Sequence, residues 1–574
     1  MLGLNNSMSQ SFSTSPPSAR WTVKPKAPSD YIEASGQPEL VAQLLYNRSV
    51  TADDVPGYLD PELYATKSPF LLKDMGRAVE RIWKALTLGE TIGVFGDFDV
   101  DGVTSTTVIA EALQMLGGKA ITYIPNRFQQ GHGLDADGVK DLRDRGASLV
   151  ITCDCGISDL PEAEKISKMG IDLIVTDHHM PLAQLPRAHA IVDPKRSDNR
   201  YGFRDFAGVG TAFKVMQAVF HADNRADQLE ELLELVALGT VADMVSLTRE
   251  NRQMVQKGLR YLNASKRPGV RALVQKSGLT IGSVTSGDIS WALGPRINAS
   301  GRLDDAMMSL KLLSTKSADE AQYLAEQLDE INRQRQQKTS DVYDAAREQL
   351  ASRPGQMVLF AADKGYPEGV IGLVAGRLSK EFYRPAIVVT LDEDYCRGSC
   401  RSIPEFDMAT ALESCEDLLR TFGGHPMAAG FSVFKDKLPE FEQRVNEIAA
   451  SKLKDVVLSP SISIDAEVSL ASLGRDSYKE MRRLEPFGQH NPEPCFVSRG
   501  VEVLECRSFR NNELWTSLRL RQDGATWDAV DFRTMRGPDD IPPIIDVVYT
   551  LRIRRWNGEE TLQANIVDIA PAAG

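Results

Sequence analysis

Val94-Phe-Gly-Asp-Phe-Asp-Val-Asp-Gly102 decides how this chain is read: an apolar run, Ile92-Gly-Val-Phe95, leads straight into aspartates at every second position. An extended chain alternates its side chains, so Asp97, Asp99 and Asp101 are expected on one side, crowding three carboxylates together where the strand ends. Asp101-Gly102 could be a plain turn, but turn acids seldom follow so apolar a run, here one that is about to enter a helix at Thr104. Such a carboxylate cluster suits hard divalent ions, Mg2+ or Mn2+.

Working outward, strands and helices alternate from Thr91 to Asp193. Strands are expected at 91–97, 119–124, 148–153, 171–176 and 189–192, with helices at 104–116, 135–145 and 158–169. That pattern predicts a parallel sheet covered by helices on both faces, with ligands at the carboxyl ends of its strands. Two further strand ends carry ligand-type residues: Leu149-Val-Ile-Thr-Cys153 delivers Asp154, and Ile171-Asp-Leu-Ile-Val-Thr176 delivers Asp177, His178 and His179. Asp243 closes a helical stretch of small apolar residues, where a solvated helix-terminal acid and a buried ligand are equally good readings. Gly294 to Asp305 reads as a loop whose Arg296, Asn298 and Arg302 suit a phosphate.

The totals describe an ordinary globular chain of 574 residues with 42% hydrophobic and 25% charged residues, long enough for three or four domains at ~150 residues each. A formal charge of -13 argues against coating nucleic acid through the overall field, so any such contact must use local basic patches. Seven scattered cysteines lack a paired Cys-x-x-Cys spacing and read as reduced cytosolic thiols. No apolar run approaches the ~18–20 residues of a membrane span, which points to a cytoplasmic protein without a membrane partner.

Residues 1–28, rich in Ser, Pro, Gln and Asn, are expected to be a disordered tail. Short helices precede the central strand, and 29–315 is taken as one domain. Residues 316–353 hold a 317–352 stretch without Gly or Pro and with helical apolar spacing, so they read as one long connecting helix with an exposed polar middle, Asn332 to Lys338. A second α/β domain follows at 354–455, with three glycine-rich segments suited to an anion: Pro367-Glu-Gly-Val-Ile-Gly372, Arg397-Gly-Ser-Cys-Arg401-Ser402 and Gly423-Gly-His425. Short strands and turn residues over 456–574 predict a small β-barrel. Arginine is its only cation between Arg499 and Arg555, and Trp515, Trp527 and Trp556 suit base stacking, though each taken singly is better explained as barrel core.

Gly96-Asp-Phe-Asp-Val-Asp-Gly102, Pro125-Asn-Arg127, Asp177-His-His179 and Gly239-Thr-Val-Ala-Asp243 together resemble the DHH phosphoesterase superfamily. Asn298-Ala-Ser-Gly-Arg302, the three glycine-rich segments and Leu484-Glu-Pro-Phe-Gly488 with Asn491-Pro-Glu-Pro narrow the resemblance to the RecJ family of single-strand-specific 5′-to-3′ exonucleases. The resemblance covers about residues 40–570. It implies two α/β lobes, DHH and DHH-associated, joined by the long helix with the nuclease cleft between them, plus a C-terminal OB-fold barrel. It implies a two-metal site for Mn2+ or Mg2+ held by Asp97, Asp99, Asp101, Asp154, His178 and Asp243, with Asp154 shared between the ions. His179 would contact the scissile phosphate and Asp177 would orient the neighbouring imidazole. A 5′-phosphate pocket would comprise Arg127, Arg302, Ser399 and Arg401, with Asn298 beside it and His425 near the backbone. Single-stranded DNA is the implied substrate, in DNA recombination and repair, and a helicase and a single-strand-binding protein are the implied partners. Two other readings stand against this one: a DHH-type phosphodiesterase of short RNAs or cyclic dinucleotides, and a DNA-binding scaffold without metals. A small substrate needs no barrel, and the intact set of acids and histidines opposes the scaffold.

Overall fold

The run from Thr91 to Gly96 forms β1, the second strand of a five-stranded parallel sheet; in a computed structural model, residues 19–126, 131–303, 306–353, 355–509, 512–534, 536–556 and 559–572 are described. Its partners are β2 (Lys119–Tyr123), β3 (Ala147–Cys153), β4 (Asp172–Thr176) and β5 (Ala190–Val192), in the order β2-β1-β3-β4-β5 with every pair parallel. Alternate residues feed different cores. Ile92, Val94, Leu149 and Ile151 join one apolar cluster, while Phe95, Val150, Leu173 and Val175 join another on the opposite face. A sheet buried on both faces explains why these strands read as continuous apolar runs.

Helix α1 (Val100–Met115) begins four residues before the expected start, because Asp99 caps it by accepting a hydrogen bond from the Gly102 amide at 3.0 Å. The strand therefore ends at Gly96, and Asp97, Asp99 and Asp101 do not alternate along an extended chain. They lie on the turn and the first helical turn instead. A Cβ on Gly102 would stand 2.3 Å from the Asp97 carbonyl oxygen, so only glycine lets the helix start that close to the turn. Behind α1 pack α2 (Gly208–His221) and α3 (Leu233–Ala242), and α4 (Arg249–Asn263) packs on α3.

The segment expected as a phosphate loop is a helix, α5 (Gly294–Leu303), entered through a single π-turn at Ile289–Leu293. Burial of Ile297, Ala299, Ser300 and Gly301 against neighbouring elements overrides the weak helix propensity of its Gly, Ser and Asn. Arg296 is paired with Asp329 at 2.9 Å and donates to the Ala292 carbonyl at 2.8 Å. Helix α6 (Ala318–Ala351) runs unbroken as expected; Arg333, Gln334, Gln336, Gln337 and Lys338 are exposed, but Asn332 is buried.

The chain divides into two compact units, one built around Ile331–Ile462 and the other comprising Val23–Glu330 and Ser463–Gly574. The first contains a mixed sheet of β6 (Leu359–Asp363), β7 (Ala386–Thr390), β8 (Tyr395–Arg401), β9 (Leu419–His425) and β10 (Ala428–Phe434), ordered β9-β10-β8-β7-β6. Only β6 and β7 are parallel, and α7 (Glu368–Phe382) crosses between them. In the second unit, β11 (Phe496–Phe509), β12 (Asn512–Gln522), β13 (Ala525–Asp531), β14 (Ile544–Trp556) and β15 (Glu559–Pro571) close into the expected barrel, β11-β12-β13-β15-β14 and back to β11. The barrel shares its core with the helix Glu39–Tyr46 through Val41, Leu44 and Leu45.

The segment entering the barrel is bound to the sheet domain at several points. Buried Arg252 on α4 donates to the carbonyls of Tyr58, Leu484 and Glu485 at 2.8–3.0 Å, and its guanidinium lies 3.8 Å from the centre of the Tyr58 ring. The Leu247 amide donates to Gln489 O and the Ser286 hydroxyl to Phe487 O. The Leu484-Glu-Pro-Phe-Gly488 motif thus holds two parts of one unit together.

Candidate metal centre

At the carboxyl ends of β1, β3 and β4 the chain gathers acids and imidazoles into two overlapping groups. Asp154, His178 and His179 form one, and Asp101, His178 and Asp243 the other, with one ligand-capable atom from each residue within 4.8 Å of the rest of its group. His178 belongs to both. Its Nε2 lies 3.0 Å from Asp154 Oδ1, 3.7 Å from Asp243 Oδ2 and 3.8 Å from Asp101 Oδ2.

Each residue reaches this point for a local reason. Asp154 follows β3 with φ of 64°, a left-handed conformation uncommon for a residue with a Cβ, and strain of that kind concentrates at functional sites. Asp101 is held by the start of α2, where the amides of Gly208 and Val209 donate to its two oxygens at 2.5 and 2.8 Å. A Cβ on Gly208 would lie 2.6 Å from that of Asp154, so glycine is needed for α2 to approach both acids. Asp243 ends α3, and of the two readings left open for it the structure supports the inward-facing one.

Asp177 has a different part. Its Oδ1 accepts from the His178 and His179 amides and from His179 Nδ1, the last at 2.8 Å, while Oδ2 accepts from the Ile157 amide at 3.0 Å. All of its capacity is spent on fixing the loop and the His179 ring. Burial would raise its carboxyl, but the His179 contact and charge dominate and hold it at about 2. For His179, burial works downward and Asp177 overrides it, raising the imidazole to about 9. Burial, reinforced by the His179 charge, lowers His178 to about 3 and keeps it neutral, the form in which imidazole binds a metal.

The acids are pushed in one direction. Burial first, then the charges of Asp243 and Asp99, raises Asp101 well above the carboxylate range; burial and then Asp101 and Asp99 do the same for Asp154, and burial with Asp99 pushes Asp243 up to about 7. Asp154 Oδ1 and Asp243 Oδ2 are buried and accept no hydrogen bond among the described residues. Buried acceptors without donors, set around a neutral imidazole, are a donor set that a hard divalent cation satisfies and a proton satisfies only in part.

Asp97 and Asp99 stand just outside the two groups. Asp99 acts on Asp101, Asp154 and Asp243 through its charge, and Asp97 accepts from the Phe98 amide at Oδ1 and lies 3.4 Å from His132 Nδ1 through Oδ2. His132 was not singled out from the sequence; its signal is a histidine between Gly131 and Gly133, which have φ of 81° and 94°. The α2 N-terminus was missed as well, although Ala207-Gly-Val-Gly210 marks a close approach of backbone.

The substrate-binding candidates are placed unevenly. Asn298 Oδ1 accepts from the Val100 amide at 3.1 Å, so it braces the aspartate turn, and Arg302 is half-buried one turn later on α5. In the other unit, Arg401 donates to the Ser399 hydroxyl at 3.3 Å on β8, and a Cβ on Gly372 of α7 would stand 2.9 Å from that hydroxyl. His425, on β9, is exposed and lies across Ala428 from Arg401 in the cross-strand register. Arg127 lies outside the described residues. Of the barrel tryptophans, Trp527 is core, its indole donating to Leu470 O, whereas Trp515 is exposed against Phe532; the Trp556 side chain lies outside the described set.

This parallel sheet, with its acids and imidazoles at the strand ends, defines a metal-dependent phosphoesterase: residues 91–240 match the DHH family, N-terminal domain. Residues 355–451 match the DHHA1 domain and 464–568 the RecJ OB domain. The chain belongs to the RecJ family. It is 36% identical over 537 residues to the single-stranded-DNA-specific exonuclease RecJ of Bacillus subtilis, covering 92% of this chain and 68% of that one. Against the protein of the same description from Escherichia coli, identity is 35% over 526 residues, 87% of this chain and 91% of the other. The crystal structure of RecJ in complex with Mn2+ from Thermus thermophilus superposes with a TM-score of 0.84 at 28% identity, covering 97% of this chain and 80% of that one.

Proposed function

We propose that this protein is a metal-dependent exonuclease that degrades single-stranded DNA from the 5′ end and releases 5′-mononucleotides. The observation that carries the reading is the pair of acid and imidazole groups that share buried His178, on a chain of this family. Asp97, Asp99, Asp101, Asp154, His178 and Asp243 would hold two Mn2+ or Mg2+ ions, with Asp154 common to both. When bound, the ions polarise the scissile phosphate and lower the cost of ionising the attacking water.

The chain's own residues do the rest. His179, fixed through Nδ1 by Asp177, keeps Nε2 for a phosphate oxygen. The α2 amides hold Asp101 against the repulsion of its neighbours. Arg127, Arg302, Ser399 and Arg401 supply charge-assisted donors for a terminal phosphate, which gives the reaction its polarity, and His425 steadies the adjoining backbone. Asn298 serves the site through the turn that carries Asp97 and Asp99. The expected setting is the cytoplasm, where a helicase and a single-strand-binding protein would present the strand during recombination and repair. Among the described residues no helix is long and apolar enough to cross a membrane.

The test is degradation of a long 5′-phosphorylated single strand labelled at either end, with Mn2+ and with EDTA, beside the matching RNA and duplex. Metal-dependent release from the 5′ end of single-stranded DNA is the expected result. An intact long strand alongside cleaved dinucleotides would move the protein to the small-substrate branch.

A further inference from the structure

Three large apolar side chains stand in solvent, two on segments that form the metal centre and one on a turn whose following helix packs against such a segment. Met180 directly follows His179 and is 64% exposed, Met244 directly follows Asp243 and is 69% exposed, and Trp291, in the π-turn that opens α5, is 82% exposed. Singly exposed apolar residues are ordinary on a protein surface. Here they recur beside one site. His178 and Asp243 meet at 3.7 Å, and a Cβ on Gly294 would lie 3.5 Å from the Cβ of Ala242, so the segments bearing all three converge.

The backbone holds each of these segments in place. Met244 has φ of 61°, between an Asp243 amide bonded to Gly239 O and a Leu247 amide bonded to Gln489 O. Trp291 is flanked in its turn by fully buried Ile289 and Leu293. Thr285 and Asp288 cap the turn's start reciprocally, and Ser286 bonds Phe487 O at 2.7 Å. Single π-turns are frequent at functional sites. The indole is thus presented to solvent by a turn anchored on both sides.

We propose that Met180, Met244 and Trp291 form an apolar rim that receives the faces of unpaired bases next to the scissile phosphate, and that this rim contributes to the preference for single strands. The proposal rests on the nuclease reading. The floor of the site is acidic and repels phosphate except through bound cations, so the apolar parts of a nucleotide are what the rim can attract. Indole stacks on a base face and thioether sulfur contacts aromatic rings favourably. In a duplex those faces are covered by neighbouring bases, and only an unstacked strand offers them. Bases are common to DNA and RNA, so the rim reads strandedness and not the sugar.

The test compares wild type, Trp291→Ala, Trp291→Phe and Met244→Ala on 5′-phosphorylated oligothymidylate and on the same strand with abasic residues at its first positions, in Mn2+. Binding of both strands to the full chain is measured by anisotropy in EDTA. Trp291→Ala is expected to lower kcat/KM and affinity for oligothymidylate by about 5- to 150-fold, the value of one stacked base, with little change on the abasic strand. Trp291→Phe should recover most of the loss, and Met244→Ala should show a smaller base-dependent loss. Because Trp291 is exposed, its removal leaves the core intact, which unchanged melting verifies. Equal losses on both strands, or no loss on oligothymidylate that wild type degrades, would overturn the rim alone. Wild type that leaves oligothymidylate untouched would overturn the nuclease reading and the rim with it.

Discussion

His178 Nε2 lies 3.0 Å from Asp154 Oδ1, an oxygen that is buried and accepts no hydrogen bond among the described residues. That oxygen is also surrounded by acids: after burial, the charges of Asp101, Asp99, Asp243 and Asp97 all raise the Asp154 carboxyl. Without a cation the arrangement destabilises the fold. In EDTA at neutral pH, Asp154→Asn is therefore expected to melt above wild type, by roughly 1 °C per kcal/mol of repulsion relieved in a unit of this size. Mn2+ should reverse the order, since a ligand stabilises only the protein that binds it. Nuclease activity should fall by more than about 10²-fold, beyond the ceiling for an outer partner of a metal site. Melting curves with Mn2+ and with EDTA decide the matter; a variant that gains as much from Mn2+ as wild type refutes the assignment of Asp154.

Asp177 is expected to act through His179. Asp177→Asn keeps one carbonyl acceptor for the loop amides but removes the charge beside the ring and sets an NH2 against a buried donor, so kcat/KM on single-stranded DNA should drop by about 10- to 100-fold in a variant that still folds but loses about 1–3 kcal/mol of stability. Steady-state kinetics beside circular dichroism provide the check. An unchanged kcat/KM would reduce Asp177 to a turn residue.

Arg401→Ala tests the terminal-phosphate pocket. A hydrogen bond to a charged group contributes about 1.5–3 kcal/mol, so the loss should be roughly 10- to 150-fold on a 5′-phosphorylated strand and slight on a 5′-hydroxyl strand. The ratio of the two rates is the quantity to measure. Equal losses at both ends would place Arg401 outside such a pocket.

Away from the centre, Arg267 lies 2.6 Å from Glu111 and 2.7 Å from Glu234 in a largely buried cluster. Burial would raise the Glu111 carboxyl, but Arg267 and then Lys316 prevail and hold it below its usual value. A depressed folded value means that the folded state binds the proton less tightly than the unfolded chain. The stability it gives is therefore complete above the ordinary carboxylate range and disappears as pH falls through the lowered value. Glu111→Gln should lower the urea midpoint at pH 7, by about 1–3 kcal/mol in free energy for a broken buried pair, and the difference from wild type should close in acid. A gap that persists at low pH would trace the effect to packing.

Much of the fold was legible in the order of residues. The five strands of the first sheet, the unbroken α6 and the barrel all follow from patterns that a local stretch carries by itself: short continuous apolar runs alternating with helical stretches, a helix-length stretch without Gly or Pro, and strands divided by turn residues. Local pattern failed where burial decides. The Gly294–Leu303 segment has the composition of a loop and folds as a helix because its small residues let it sit against the turn at Phe98, where a Cβ on Gly301 would come within 2.7 Å of the carbonyl. Alternation failed past Gly96, because Asp99 caps a helix that starts at Val100 and so the three aspartates lie on a turn and a first helical turn and not along the strand.

By itself the sequence marked which residues are of the right type for metal chemistry, because metal binding needs carboxylates and imidazoles and the chain places them at successive strand ends. Only the tertiary structure decided what each one does. It turned Asp177 toward His179, gave the Asp101 oxygens to the α2 amides, occupied Asn298 with the Val100 amide and brought His178 between Asp154 and Asp243. Those roles depend on separations of a few ångströms between residues more than a hundred positions apart in some cases, and packing sets such distances while local sequence does not.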